Sequence, residues 1–67
     1  MSVYKVIELV GTSEESWEDA AQQAVKMANK SLRDLRVAEI GKLDMRLDEG
    51  KIIEYRARVF VSFKYED

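Results

Sequence analysis

The sequence predicts an α+β domain of order strand, helix, strand, strand, in which one helix packs on a three-stranded antiparallel sheet with the third strand at its centre. Three observations lead there. From Ile52 to Tyr65 the odd positions Ile53, Tyr55, Ala57, Val59, Val61, Phe63 and Tyr65 are apolar or aromatic, while Glu54, Arg56, Arg58, Ser62 and Lys64 fall on even ones, the period of a strand with one buried face. Trp17, Ala20, Ala21, Ala24, Val25 and Ala28 recur instead at helical spacing. A helix after the first strand reverses the chain, so the first two strands run the same way, and a third strand between them makes the whole sheet antiparallel.

The first strand is expected over Val3 to Val10. It is rich in β-branched residues and apolar on both sides, with Val3, Ile7 and Leu9 on one face and Tyr4, Val6, Glu8 and Val10 on the other. Gly11-Thr12-Ser13-Glu14-Glu15 then reads as a turn into a helix. Thr12 with Glu15 three residues on matches a capping box, with Ser13 the alternative cap. The helix is expected from Ser13 or Glu14 to about Asn29 or Lys30. Its buried stripe is mostly alanine, which permits close approach to a sheet but removes little apolar area from water, so the core is thin.

Leu32 and Leu35 close the turn after the helix, and the second strand is expected from Val37 to Leu47. Its apolar phase changes at Gly41, from Ala38 and Ile40 to Leu43, Met45 and Leu47, which predicts a β-bulge there. Asp48-Glu49-Gly50-Lys51 reads as a hairpin turn with Gly50 at a position of positive φ. The third strand follows from Ile52.

Strand lengths predict an overhang. At ~3.3 Å per residue the third strand spans ~46 Å and the first only ~26 Å, so the first strand and helix cover the half of the hairpin holding Val37 to Leu43 and Arg58 to Tyr65. The other half carries Met45, Leu47, Ile52, Ile53 and Tyr55 with nothing in the chain to bury them, a pattern that marks an association surface unless the hairpin folds back on its own sheet. Trp17, near the helix start, is expected as a packing anchor at the same subunit contact.

Composition narrows the function. The 67 residues form one domain, of a size that usually needs outside support such as oligomerisation. There is no Cys and no His, which removes disulfides, thiolate sites and the commonest general base and zinc ligand. A net charge of -2 from eleven basic and thirteen acidic residues gives no pointer to nucleic acid or an anionic membrane. No apolar run approaches the ~20 residues of a membrane span and no signal-peptide pattern opens the chain, so a cytoplasmic protein is expected. No Gly-rich phosphate loop or nucleophile motif is present, and an enzyme is not expected.

The chain resembles the dodecin family along nearly its whole length. The resemblance rests on Tyr4-Lys5-Val6-Ile7-Glu8-Leu9-Val10-Gly11-Thr12-Ser13-Glu14-Glu15-Ser16-Trp17, the helical alanines, the strand entry from Leu35 to Ile40 with Glu39, and Tyr55 to Phe63. It implies a hollow homo-dodecamer with helices outside and sheets lining the inside, and non-catalytic binding and storage of a flavin such as riboflavin or FMN. In such a pocket a Trp on the second strand stacks on the flavin ring and a Gln on the third strand hydrogen-bonds its pyrimidine edge. Here the Trp position is Val37, ahead of Ala38 and Glu39, and the Gln position is Arg56, directly after Tyr55. Leu43-Asp44-Met45 replaces the Ile-Arg-Gly of many bacterial members. Val offers no flat face to stack on, and Arg presents only donors where Gln presents a donor and an acceptor. The pocket positions implied are Val37, Glu39, Arg46, Tyr55 and Arg56.

The charged residues of the hairpin, Glu39, Asp44, Arg46, Glu54, Arg56 and Arg58, admit three readings. They form cross-strand and inter-subunit ion pairs. Alternatively, symmetry copies gather Glu39, Asp44 or Glu54 around an axis as oxygen ligands for calcium or magnesium. In the third reading, Arg56 and Arg58 receive an anionic group. The functional expectation is thus a self-assembling small-ligand store, or a non-flavin shell held by ion pairs that binds a divalent cation.

Overall fold

The computed structural model describes residues 2–65. β1 (Tyr4–Ser13), α1 (Trp17–Ser31), β2 (Leu35–Asp48) and β3 (Lys51–Lys64) follow one another, and the sheet has the order β1-β3-β2 with both pairings antiparallel. The expected topology is therefore present, with β3 central.

Residues opposite one another across strands share a face of the sheet. Ala57, Val59 and Val61 on β3 are fully buried with Ala20 and Ala24 of α1, so odd positions of β3 face the helix. Ile7 and Leu9 of β1 and Leu35 of β2 pack around this centre. The core is as thin as the alanine stripe implies, and it needs the closest possible seating of helix on sheet. Gly11 supplies that seating, since a Cβ there falls onto the Ala20 carbonyl and within 3.1 Å of Ala24 Cβ.

Gly11, Thr12 and Ser13 are strand residues rather than the expected turn, paired with Ala57, Arg56 and Tyr55. The helix start moves with them. Ser16 is the N-cap, its Oγ accepting from the Asp19 N–H at 3.0 Å, and neither Thr12 nor Ser13 caps the helix. The Ser13 hydroxyl instead organises the turn, accepting from Glu15 N–H at 2.9 Å and donating to Asp19 Oδ2 at 2.7 Å. A capping pattern of hydroxyl and acid fits several registers in Thr-Ser-Glu-Glu-Ser, and continued pairing with β3 selects the last. The helix ends where the Leu32 N–H bonds the Ala28 carbonyl, and Asp34 takes a left-handed φ of 58° before β2.

β2 begins two residues before the expected Val37. Register shifts occur between Ile40 and Lys42, which is the bulge expected at Gly41, and also between Leu35 and Val37 and between Arg46 and Leu47. At the hairpin tip Glu49 and Gly50 have φ of 51° and 77°, the two positive values of a type I′ turn; the sequence points only to the glycine.

Because β1 runs on to Ser13, it covers β3 as far as Tyr55. Tyr55 is thus not part of the overhang. It sits edge-to-face against Trp17, with ring centroids 5.1 Å apart and planes at 70°. Beyond it the hairpin is uncovered, and Met45, Leu47, Ile52 and Ile53 remain exposed at 38%, 58%, 49% and 37%. The overhang is shorter than strand counting suggests, but it is present.

Candidate functional site

Opposite the helix, β3 presents Arg56, Arg58, Phe60 and Ser62, the alternates of its buried positions. The register completes this open face. Thr12 and Asp44 flank Arg56, Val10 and Lys42 flank Arg58, Glu8 and Glu39 flank Phe60, and Val6 and Val37 flank Ser62. Charged and apolar residues alternate across a surface that one chain leaves open.

Ion pairs cross it, those of Arg56, Arg58 and Arg46 among them. The Arg56 guanidinium is a two-pronged donor to Asp44, Nε to Oδ1 at 2.7 Å and Nη2 to Oδ2 at 3.2 Å. Arg58 Nη1 donates to Glu8 Oε2 at 2.6 Å, a diagonal contact, and Arg46 Nε reaches Glu54 Oε1 at 3.4 Å, directly across the hairpin. Hydrogen bonding from Arg56, reinforced by the charges of Arg56 and Arg58, holds the Asp44 carboxyl below its ordinary range. Asp44 in turn holds the Arg56 guanidinium more firmly protonated.

Asp44 is fixed from the other side as well. Its carbonyl oxygen accepts the Trp17 indole N–H at 2.9 Å, so a residue at the start of the helix and a carboxylate of the open face are joined through one residue of β2. Expected as an anchor at a subunit contact, Trp17 packs its ring on Tyr55 within its own chain. Beside it, Trp17, Glu18, Ala21, Ile40 and Leu43 line an apolar groove of about 410 Å³ between α1 and β2.

Neither proposed residue set closes into a site within one chain. Val37 pairs with Ser62 and Arg56 with Asp44, six residues apart on β3 and so separated by ~20 Å. A pocket using both needs a second copy. Val37 is 62% exposed, and the Ser62 hydroxyl donates to its carbonyl at 3.3 Å. Arg46 and Tyr55 lie nearer the hairpin tip, on opposite faces from one another, while Glu39 lies opposite Phe60. Of the acidic set, Asp44 and Glu54 carry ion pairs. Among the described residues no three acidic side chains gather to hold a metal ion, and Glu39, Asp44 and Glu54 are strung along the hairpin.

Two features escape sequence reasoning. The Glu8–Arg58 pair requires the β1–β3 register, which alternation alone does not supply, and the Trp17–Asp44 bond requires the crossing of α1 over β2. Glu8 was nonetheless visible as a charge among the apolar residues Tyr4, Val6 and Val10 of its strand face.

One helix across one face of an antiparallel sheet, with a mixed-charge open face whose candidate residues do not gather within one chain, defines a small α+β binding module. The dodecin family model matches residues 3–66, and the chain belongs to that family, whose members are binding proteins rather than enzymes. It is 52% identical over 64 residues to the calcium dodecin of Mycobacterium tuberculosis, covering 96% of this chain and 90% of that protein; the crystal structure of that relative, with a novel calcium-binding site, superposes with a TM-score of 0.85 over 97% of this chain and 93% of the other. Dodecin from Thermus thermophilus is 42% identical over 97% of this chain and 94% of its own length. The structure of dodecin from Streptomyces coelicolor, 27% identical, gives a TM-score of 0.93 over 98% and 94% of the two chains. Among the described residues no helix is long and apolar enough to cross a membrane.

Proposed function

We propose that this chain assembles as a dodecamer and holds a divalent cation such as calcium rather than a flavin. The observation that carries this reading is Arg56. In the position of the flavin-reading Gln stands a guanidinium that is tied to Asp44 by two hydrogen bonds and has no acceptor for a ring N–H. Val37, in the stacking position, offers no ring. The identity to a calcium dodecin over almost the whole chain supports the same ligand class.

Carboxylate oxygens are the expected ligands for such a cation, and Glu39, Asp44 and Glu54 are the candidates on the hairpin. Since they do not meet within a chain, copies related by symmetry bring them together. The exposed tip residues Met45, Leu47, Ile52 and Ile53 form part of the contacts that hold those copies, with Trp17 and Tyr55 at their margin. A cytoplasmic location belongs to the same reading.

Calorimetric titration of chelator-treated protein with calcium chloride tests it. Saturable binding at a fixed number of ions per assembly is expected, together with no quenching of riboflavin or FMN fluorescence. Strong flavin quenching without calcium binding would return the protein to flavin storage through Val37, Glu39, Arg46, Tyr55 and Arg56.

A further inference from the structure

β2 is an edge strand, paired with β3 along one side only, and residues 36–48 are all exposed. A free edge of this length is a template for a further strand. Among the described residues, Glu39 and Lys42 of this strand carry no ion pair, whereas Glu8, Asp44, Arg46, Glu54, Arg56 and Arg58 are all paired. The bulge between Ile40 and Lys42 turns both to the open face, Glu39 opposite Phe60 and Lys42 opposite Arg58. Lys42 thus faces a like charge, an unfavourable cross-strand neighbour, and no acid offsets it.

Opposite charges three residues apart on one free edge are complementary to a second copy of themselves. We infer that a second copy lies antiparallel along the edge of β2, joined by reciprocal Glu39–Lys42 ion pairs about a two-fold axis. In such an isologous contact, Glu39 facing Lys42 of the second copy requires Lys42 to face its Glu39. The axis then passes between Ile40 and Gly41. On the helix side it gathers Ile40 and Leu43 of both copies, which are 46% and 50% exposed although they lie opposite the buried Val59 and Ala57. On the open face it sets Val37 level with Asp44 of the second copy, the residue that holds Arg56. Two positions ~20 Å apart in one chain therefore meet across this contact. The inference rests on the assembly in the reading above and deepens it by naming one of its contacts; Glu39 serves that contact, and Asp44 and Glu54 stay as cation candidates.

A charge swap tests it, read by native mass spectrometry as the protein concentration at which half the assembly has dissociated. Glu39→Lys or Lys42→Glu alone sets like charges face to face twice and raises that concentration about tenfold. The two together restore the pairs and return it to within about twofold of wild type. Both side chains are exposed, so the fold of the chain is unaffected. Ile40→Cys gives a second measurement, since the chain has no other Cys: next to the axis, its two copies come within the ~4.4–6.8 Å Cα separation of a disulfide, and mild oxidation yields a covalent dimer. No recovery in the double variant, or no cross-linked dimer, overturns the inference while the assembly stands. A wild-type monomer at micromolar concentration overturns the assembly and the inference with it.

Discussion

The Trp17 indole N–H bonds the Asp44 carbonyl oxygen at 2.9 Å across a separation of 27 residues, tying the first residue of the helix to the edge strand β2. Few other links join α1 to that strand, since the alanine stripe of the helix is centred on β3. The bond is therefore a main link between the helix and that strand. It also holds the backbone of the residue whose carboxylate faces the open side.

Trp17→Phe keeps an aromatic ring against Tyr55 and deletes the bond. A loss of about 1 kcal/mol is expected from one net hydrogen bond, read as a lower denaturant midpoint with unchanged slope. Trp17→Ala removes the ring as well and costs about 2 kcal/mol, short of a full core truncation because the ring is half-exposed.

Gly11→Ala places a methyl group against the Ala20 carbonyl. Backbone cannot rotate out of the way as a side chain does, so the helix is lifted from the sheet, at a cost of about 1–3 kcal/mol. Thermal melting followed by far-ultraviolet circular dichroism reports it.

Ile53→Asp tests the overhang. Ile53 is exposed in the single chain at 37%, so the change leaves the fold of the chain intact but buries an unpaired charge in any contact made there. Native mass spectrometry should show dissociation into smaller species; an unchanged dodecamer would remove Ile53 from the interface.

The Asp44–Arg56 pair predicts a direction with pH. The Asp44 carboxyl is held below its ordinary 3.8 by the Arg56 hydrogen bonds and by the charges of Arg56 and Arg58. A carboxylate whose folded value is depressed contributes stability that is fully present above 3.8 and is lost as pH falls through the lower folded value. Carboxyl-detected NMR should place the Asp44 titration below that of an exposed Asp, and Arg56→Gln should move it up.

Val37→Trp combined with Arg56→Gln restores the stacking face and the mixed donor–acceptor edge. Riboflavin fluorescence should be quenched by the double variant and much less by either single one. A stacked aromatic pair adds about 0.5–1.5 kcal/mol beyond burial, and the amide supplies the ring contacts that a guanidinium cannot.

The alternation of Ile52 to Tyr65, the helical alanines, the bulge at Gly41 and the turn at Gly50 were all legible in the sequence, because periodicity and glycine report on the backbone locally. So were Val37 and Arg56, at positions where the family resemblance implies a Trp and a Gln. The start of the helix was not, because Thr12, Ser13 and Ser16 are chemically equivalent caps and only the pairing of Gly11 to Ser13 with β3 chooses among them. Nor was the partner of any charge. A shift of one residue in register moves every side chain of a strand to the other face, so Asp44 facing Arg56, Glu8 reaching Arg58 and Trp17 bonding Asp44 were decided only when three strands and a helix packed around a core of small alanine and valine side chains.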